Sequence, residues 1–464
     1  MLRTLKIQAH LGQLLQLGQV DRVLLLAFAA RLWPLVAGPV TVLLIVEHFS
    51  PETQGLFYGF SSVLNLQAFF ELGASSLIIS LAGHHAVEMQ QADSLVSQRG
   101  KRRLAAIFRG MVLWYSCVGT LFFIAAFSLG WWTFSREQAS GPWRLPWTTI
   151  VPVAAISMWL TPWIAILEGI GNRDDVYRYR FYQVITGSLV VWVAILSGFG
   201  VWSVVAAAAV QLVWLLNLIF YKFADFFRDL RRNACAREPI AWRQEIIPAQ
   251  WRIGVQSAAH YLATQLLTLF VIATEGLAYG GRFGMTMAVA MSIQGVALAW
   301  VQTKFSVMAQ LVAKHRRAEA HRLWMTSLLV STIALVAGFI GFAATIGVLS
   351  NSFPKIGLRF IEWVNILILG AGLAANHIIA NQAYFVLACR DKPLFGAIIS
   401  GMIITAITTW IGALAADGRG VVFGYTLGLL LVALPIHSLA FYAYRRSRGH
   451  LELSSDITNG SVQG

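Results

Sequence analysis

Charge is what this sequence has least of. Only 12% of its 464 residues are Asp, Glu, Lys or Arg, about half of the roughly 25% usual in soluble domains. A water-facing globule is excluded by that shortage. The matching surplus is apolar: 57% of the chain is hydrophobic and the mean hydropathy is +0.66. Cysteine is also scarce. Cys117, Cys235 and Cys389 have no close cysteine or histidine neighbours at disulfide or metal spacing, so they read as ordinary reduced or buried residues. There is no Walker A loop, no GxSxG and no HExxH, which removes the motif-bearing nucleotide hydrolases, serine hydrolases and zinc proteases. The chain is expected not to be an enzyme and to carry no cofactor and no metal. The start, Met1 to Val20, lacks a small-residue cleavage site after an apolar core and is expected to form an interfacial helix rather than a removable signal.

What is present is a series of nearly uncharged runs of about 20 residues or more, each long enough to cross a bilayer as a helix. They fall at 23–48, 56–82, 105–131, 147–171, 181–198, 201–221, 251–275, 283–308, 323–350, 361–388, 394–413 and 421–443. The expected fold class is therefore all-α, a polytopic membrane protein of about twelve transmembrane helices in two six-helix halves. A transmembrane barrel is excluded, because its strands would alternate in polarity over about ten residues and these runs do not. Gly198, Phe199 and Gly200 are the whole connection between the fifth and sixth runs, a tight turn.

The formal charge of +14 is distributed as topology, not as a nucleic-acid surface. With the N-terminus placed in the cytoplasm, 25 of the 35 Lys and Arg fall in cytoplasmic segments, six in outer loops and four within spans. The positive-inside rule then puts both termini in the cytoplasm, with anionic membrane lipid as the partner of the basic loops. The polar stretch 223–250 divides the chain into an N-terminal six-helix bundle, 1–222, and a C-terminal one, 251–464, with a short cytoplasmic tail. Each half has a basic loop after its second span, RGKRR at 99–103 and KHRRAEAHR at 314–322. No outer loop is large enough to form a domain. Trp131, Trp132, Trp143 and Trp147 read as an interfacial aromatic belt.

A charge near the bilayer centre costs about 2.5–3.5 kcal/mol on insertion scales, so the few intramembrane charges are the candidate site. Arg31 lies in the first span, followed by Pro34 and Pro39, which are expected to kink the helix. Glu71 lies near the middle of the second span and shares an arc with Ser61, Asn65 and Ser75. It reads either as an ion-pair partner of Arg31 or as a substrate or coupling-ion site. In the second half, Arg252, His260 and Lys304 are candidate cavity residues, accompanied by Thr264 and Thr268 and by Asn365, Asn376, His377 and Asn381. The Ser, Thr and Asn set reads either as interhelical glue or as a cavity lining. Cations outnumber deep acids, so a shared lumen would favour an anionic ligand, with Arg suited to phosphate. His84, His85 and Glu88 form a weak metal pattern with no further ligand at a supporting spacing. Gly420, Gly424 and Gly428 recur every four residues and predict close helix contact.

The text from Ser50 to Ser62, SPETQGLFYGFSS, running into Leu66 to Gly73, LQAFFELG, resembles bacterial lipopolysaccharide-biosynthesis and O-antigen-type flippases of the multidrug/oligosaccharidyl-lipid/polysaccharide exporter superfamily. The resemblance implies alternating access by two six-helix halves in the bacterial inner membrane. It also implies a polyprenyl-pyrophosphate-linked oligosaccharide as substrate, a cationic cavity to which Arg31 and Lys304 contribute, and polysaccharide-assembly enzymes as possible partners. Drug-exporting members often carry an acid on the first helix; here that span has Arg31 and no acid before Glu47. Two other readings stay open. One is an ion-coupled exporter of small amphiphiles with Glu71 as its proton or sodium site. The other is a membrane polysaccharide polymerase or ligase, which the short outer loops disfavour.

Overall fold

The computed structural model describes residues 22–71, 73–89, 94–136, 142–233, 247–264, 266–314, 316–389, 394–415 and 417–446. The expected interfacial segment Met1 to Val20, Cys235 with residues 234–246 of the 223–250 linker, and the C-terminal residues 447–464 lie outside these residues. At Arg31, Arg252 and His260 the description is of the backbone alone. Among the described residues the secondary structure is helical, with no strand. This is the expected all-α membrane architecture: with no water to satisfy backbone groups, lipid admits helices because each bonds to itself.

Nine described helices are long and apolar enough to cross a bilayer, ten with the bent pair Pro51–Glu71 and Ala74–Ala86 counted as one. One of them, Gly254–Ala313, has 60 residues. That is about 90 Å of helix against a hydrocarbon core of about 30 Å. Its backbone turns at Gly276, φ 83 and ψ 171, so it holds two crossings. The expected first span is the helix Arg22–His48, of which Trp33–His48 counts as a shorter apolar helix.

The chain divides into two compact units, Met1–Ser50 with Val63–Gly254, and Pro51–Ser62 with Val255–Gly464. Helix α1 (Arg22–His48) carries Pro34 and Pro39 in its interior as one continuous helix. The second span is not the unbroken run 56–82. It is divided into α2 (Pro51–Leu64), α3 (Leu66–Glu71) and α4 (Ala74–Met89), with a 45° bend. Gly73, at φ 69, supplies the left-handed residue that this break requires. Helix α5 (Ser94–Arg136) has 43 residues, about 64 Å. Its first turns carry Arg99, Lys101, Arg102 and Arg103 as a polar extension beyond the apolar run.

Helices α6 (Arg144–Trp159) and α7 (Thr161–Gly169) form one span interrupted at Leu160, with Pro162 in the first turn of α7, where a missing N–H costs nothing. Helices α8 (Arg173–Leu196) and α9 (Trp202–Leu216) are joined through Gly198, φ 76, and Gly200, φ 54, the tight turn expected at that point. A π-helical stretch, Asn217–Lys222, ends α9. The amphipathic α10 (Ala224–Asn233) buries Phe227 and Leu230 and exposes Arg228, Arg231 and Arg232. Within this unit α1 packs on α8, α8 on α9, α9 on α6, α6 on α5 and α5 on α4.

The expected tryptophan belt is half right. Trp131 and Trp132 are exposed, but Trp143 and Trp147 are buried, Trp147 completely. Its ring fills the space left by Gly130, where an added Cβ would sit 2.0 Å away. A hydropathy window identifies the end of a span but not the face a ring takes.

The second unit contains the part of α11 (Ile247–Thr264) from Val255 onward, α12 (Leu267–Ala313), α13 (Arg317–Ser352), α14 (Pro354–Gly357), α15 (Trp363–Ala388), α16 (Phe395–Ala415) and α17 (Asp417–Leu427). A second π-helical stretch, Gly428–Ala433, follows α17 within the span Gly418–Arg446. The loop expected at 276–282 is reduced to the single bend at Gly276. The first part of α2, Pro51–Ser62, belongs to this unit. Gln54 donates to the carbonyls of Gly281 at 2.9 Å and Arg359 at 3.0 Å. Gly55 lies so close that a Cβ would stand 2.0 Å from the Leu277 carbonyl oxygen. The glycine series predicted on the last span does give close contact: a Cβ on Gly424 would stand 2.3 Å from the Thr408 carbonyl oxygen.

Candidate functional site

The first unit holds a cavity of about 390 Å³, within the size range of small-molecule sites. Its walls come from the α6–α7 break, the first half of α8, the end of α9 and Ala30 of α1. Glu168, on α7, is only 8% exposed. Arg180 donates to one of its oxygens at 3.0 Å and Tyr177 donates to the other at 2.9 Å. The guanidinium also lies 5.3 Å from the Tyr177 ring centre. Tyr177 and Arg180 lie three residues apart and so share a face of α8. Tyr177 and Arg180 line the cavity, so the one described cation on its wall is paired with the acid behind it.

The other walls are aromatic and amide. Trp214 packs edge-on against Tyr179 with ring centres 5.3 Å apart, and donates its indole N–H to Thr186 at 2.9 Å. Tyr179 donates to Asn217 Oδ1 at 2.9 Å, in the π stretch. Lys222, at the end of that stretch, pairs with Asp175. Gln183 and Gln211 add amide donors and acceptors. The arrangement offers flat apolar faces and uncharged hydrogen bonding, which suits an amphiphilic organic molecule.

Sequence reasoning missed this cluster. Residues 172–180 read as a basic loop because their charges end the apolar run; the structure begins α8 at Arg173. Tyr177 and Arg180 at helical spacing, together with the acid Glu168, were the available signal.

Glu71 ends α3, immediately before the break in the second span. Among the described residues its hydrogen-bond partners are hydroxyls: Ser75 on the next helix, and Tyr115 of α5 at 3.3 Å. Tyr115 is fully buried. The expected arc dissolves, because Ser61 donates to the Phe57 carbonyl of its own helix and the helix is interrupted at Asn65. The alternative pairing of Glu71 with Arg31 falls on a side chain outside the description. Ala30, the preceding residue, lines the first-unit cavity.

The remaining predicted residues whose side chains are described divide among several places. Lys304 is half-buried, with Nζ 6.0 Å from the ring of Trp300, one turn earlier on α12. The side chains of Arg252 and His260 lie outside the description. His377 is fully buried and meets Ser331 of α13 at 2.8 Å, and Trp324 donates to the Asn381 carbonyl at 3.0 Å, so part of the polar set does tie helices together. Thr264 and Asn376 instead line a small second-unit cavity. His85 meets Glu88 at 2.9 Å. This hydrogen bond holds the Glu88 carboxyl below its usual range, opposed by partial burial and helped by the charges of His85, His84 and Arg99. Among the described residues no group of three candidate metal ligands occurs.

No family model matches the chain, and no curated protein does. Solved structures match its fold. One is the inward-facing conformation of a multidrug resistance MATE family transporter of the MOP superfamily, with a TM-score of 0.55, 14% identity, and coverage of 88% of this chain and 99% of that one. Another is a MATE in complex with MaL6, with a TM-score of 0.55, 15% identity, and coverage of 91% and 95%. A third is a MOP superfamily transporter from Pyrococcus furiosus whose binding pocket is described as reversed in polarity, suggesting a different function. It has a TM-score of 0.53, 13% identity, and coverage of 90% and 94%. This chain therefore has the helical fold of MOP superfamily transporters.

Proposed function

We propose that this protein is an ion-coupled exporter of small amphiphilic compounds that works by alternating access, with no enzymatic step. The observation that carries this reading is the first-unit cavity. Its volume of about 390 Å³ suits a small organic molecule better than a lipid-linked oligosaccharide. Its rings and amides suit an amphiphile, and its lining cation, Arg180, is engaged with Glu168. The fold leaves the charge of the cargo open, since the Pyrococcus furiosus transporter is described as having a pocket of reversed polarity. Cargo class is thus read from the lining.

Coupling is assigned to Glu71. Its described hydrogen-bond partners are the hydroxyls of Ser75 and Tyr115, groups that can turn as a coupling ion binds and leaves. The skew of basic residues, 25 against six in the loops, supports a bacterial inner-membrane location with both termini cytoplasmic.

The test is efflux of a fluorescent amphiphile from vesicles under an imposed proton or sodium gradient. Glu71→Gln is expected to abolish gradient dependence, whereas Arg31→Ala is expected to leave most of the flux. The flippase reading is supported by the Ser50 to Gly73 text and by the intramembrane cations Arg31, Arg252 and Lys304. It takes the reverse outcome: loss of surface polysaccharide, with lipid-linked intermediate trapped on the inner leaflet, in Arg31→Ala but not in Glu71→Gln. That result would overturn the amphiphile proposal.

A further inference from the structure

The ion pair of the first-unit cavity is lopsided. The Arg180 side chain is 46% exposed and the Glu168 side chain 11%. Arg180 lines the cavity and Glu168 does not. The acid therefore stands behind the wall and the guanidinium in front of it, so the pair presents its positive end to whatever enters. A guanidinium carries five N–H donors in one plane. Among the described residues Arg180 spends one of them, on Glu168 at 3.0 Å. The Tyr177 ring, centred 5.3 Å from the guanidinium, and the Tyr177 hydroxyl on the same carboxylate fix how the group is aimed.

The rest of the wall agrees with that sign. Gln183, about one turn after Arg180 on α8, and Gln211 of α9 bring amide N–H donors to the same cavity. Among the described residues no Asp or Glu lines it. Asp175, at the start of α8, is paired with Lys222. Arg31, whose side chain lies outside the description, follows the lining residue Ala30 and is itself a cation, so it cannot supply an acid. Ile164, Val184, Leu215 and Leu218, with the Trp214 ring, give the hydrocarbon part of a cargo an apolar bed.

We propose that the cargo of this cavity is an anionic amphiphile, its carboxylate, sulfonate or phosphate held by the N–H groups of Arg180 that Glu168 leaves unused. The inference rests on the exporter reading of the cavity and adds the sign of the cargo's charge. Arg180 is then the residue that sets specificity, because its planar fork matches an oxyanion. Glu168 acts through it as a positioning residue with two opposed effects. It aims the guanidinium, and its own charge repels the anion from behind. The acid therefore keeps the cargo loosely enough held to leave. Neutralising Glu168 should tighten anion binding, a sign that a merely structural ion pair would not produce.

The test titrates the full-length protein in phosphatidylcholine nanodiscs with two dyes that share their rings and differ by one charge, anilinonaphthalene sulfonate and the neutral phenylnaphthylamine. The signal is dye emission excited through the 17 tryptophans, with empty nanodiscs subtracted. Arg180→Ala is expected to weaken the sulfonate about tenfold or more and the neutral dye about twofold or less. Glu168→Gln is expected to tighten the sulfonate about threefold or more. Should Arg180→Ala not fold, the double variant with Glu168→Gln leaves no acid unpaired and is expected to show the same loss. Equal weakening of both dyes when Arg180 is removed, or a sulfonate affinity that Glu168→Gln lowers, overturns the proposal. If the sulfonate ignores every variant while the neutral dye still binds, the charge assignment falls and the exporter reading stands. If neither dye binds the wild type saturably, the exporter reading of the cavity falls and this one with it.

Discussion

In the first unit, acids within the helices are met by donors from the same unit. Glu168 is held by Arg180 and Tyr177 beside a cavity of about 390 Å³, and Glu71 is held by Ser75 and Tyr115. In the second unit the cavity is about 20 Å³, its lining carries no formal charge, and two of its polar atoms are left facing it unmatched. The first arrangement provides space and a balanced polar wall. The second provides almost no space and leaves the Tyr425 hydroxyl and a His437 imidazole nitrogen without a described partner in the protein. Similar helical material thus yields a cavity with the volume of a small organic molecule in one unit and one with room for about a single water in the other. What separates them is how closely the helices approach and whether polar groups find partners within the protein.

The strongest way to break this comparison is to act on helix approach. Gly424→Ala would set a Cβ 2.3 Å from the Thr408 carbonyl oxygen and 2.9 Å from the Thr409 Cα, backbone atoms that do not swing aside. It is expected to destabilise the second unit by about 2–3 kcal/mol. Gly187→Ala meets nothing within 4 Å and is expected to gain up to about 1 kcal/mol of helix propensity. Thermal unfolding of the two purified variants checks the contrast; equal melting temperatures would remove it.

Next in size is the neutralised acid. Arg180→Ala leaves Glu168 with Tyr177 alone. Removing one partner of a fully buried pair costs about 3–5 kcal/mol, but the Arg180 side chain is 46% exposed. A loss of about 1–2 kcal/mol is expected after allowance for solvent screening. Adding Glu168→Gln to Arg180→Ala is expected to restore most of it in a double-mutant cycle. A single mutant as stable as the wild type would show that the pair does not set the polarity of the cavity.

The smallest effect belongs to Glu88, outside the spans. Its carboxyl is held below the usual range in the folded protein by His85. The resulting stability is present above the unfolded carboxylate pKa and is lost as pH falls through the lower folded value. It is expected to be under about 1 kcal/mol, because the pair is partly solvated. His85→Ala should flatten this acid dependence in a melting series. An unchanged slope would exclude the pair as its source.

The spans were legible because lipid leaves so little choice: an uncharged run of the right length must become a helix, and Gly198 to Gly200 marked its turn. Helix ends were less legible, because hydropathy locates the edge of the apolar run and α8 continues past that edge to Arg173. The Tyr177, Arg180 and Glu168 cluster was hidden by that extension. Facing was also hidden, as Trp147 shows by lying in the core rather than at the interface. Of the candidate residues, Glu71 was recognised from its depth, but its partners come from the break at Leu72–Gly73 and from Tyr115, 44 residues away. His437 drew no notice as a lone histidine near the end of a span. Its chemistry depends on Gln382, 55 positions earlier.

Each unit's last span contains a π-helical stretch, Asn217–Lys222 and Gly428–Ala433. In bonding terms such a stretch is an α-helix with one surplus residue, since its hydrogen bonds reach i+5 rather than i+4. It acts as a phase shifter: every side chain beyond it is rotated by about 100° relative to an uninterrupted helix. Loss of a single codon within Gly428–Ala433 would leave a regular, well-bonded span and would be mild for folding. The same loss would swing His437 about 100° around the axis. Length variation at this point would therefore turn the His437 imidazole away from the second-unit cavity while sparing the helices around it, which makes residue count, rather than residue identity, the quantity this span has to keep.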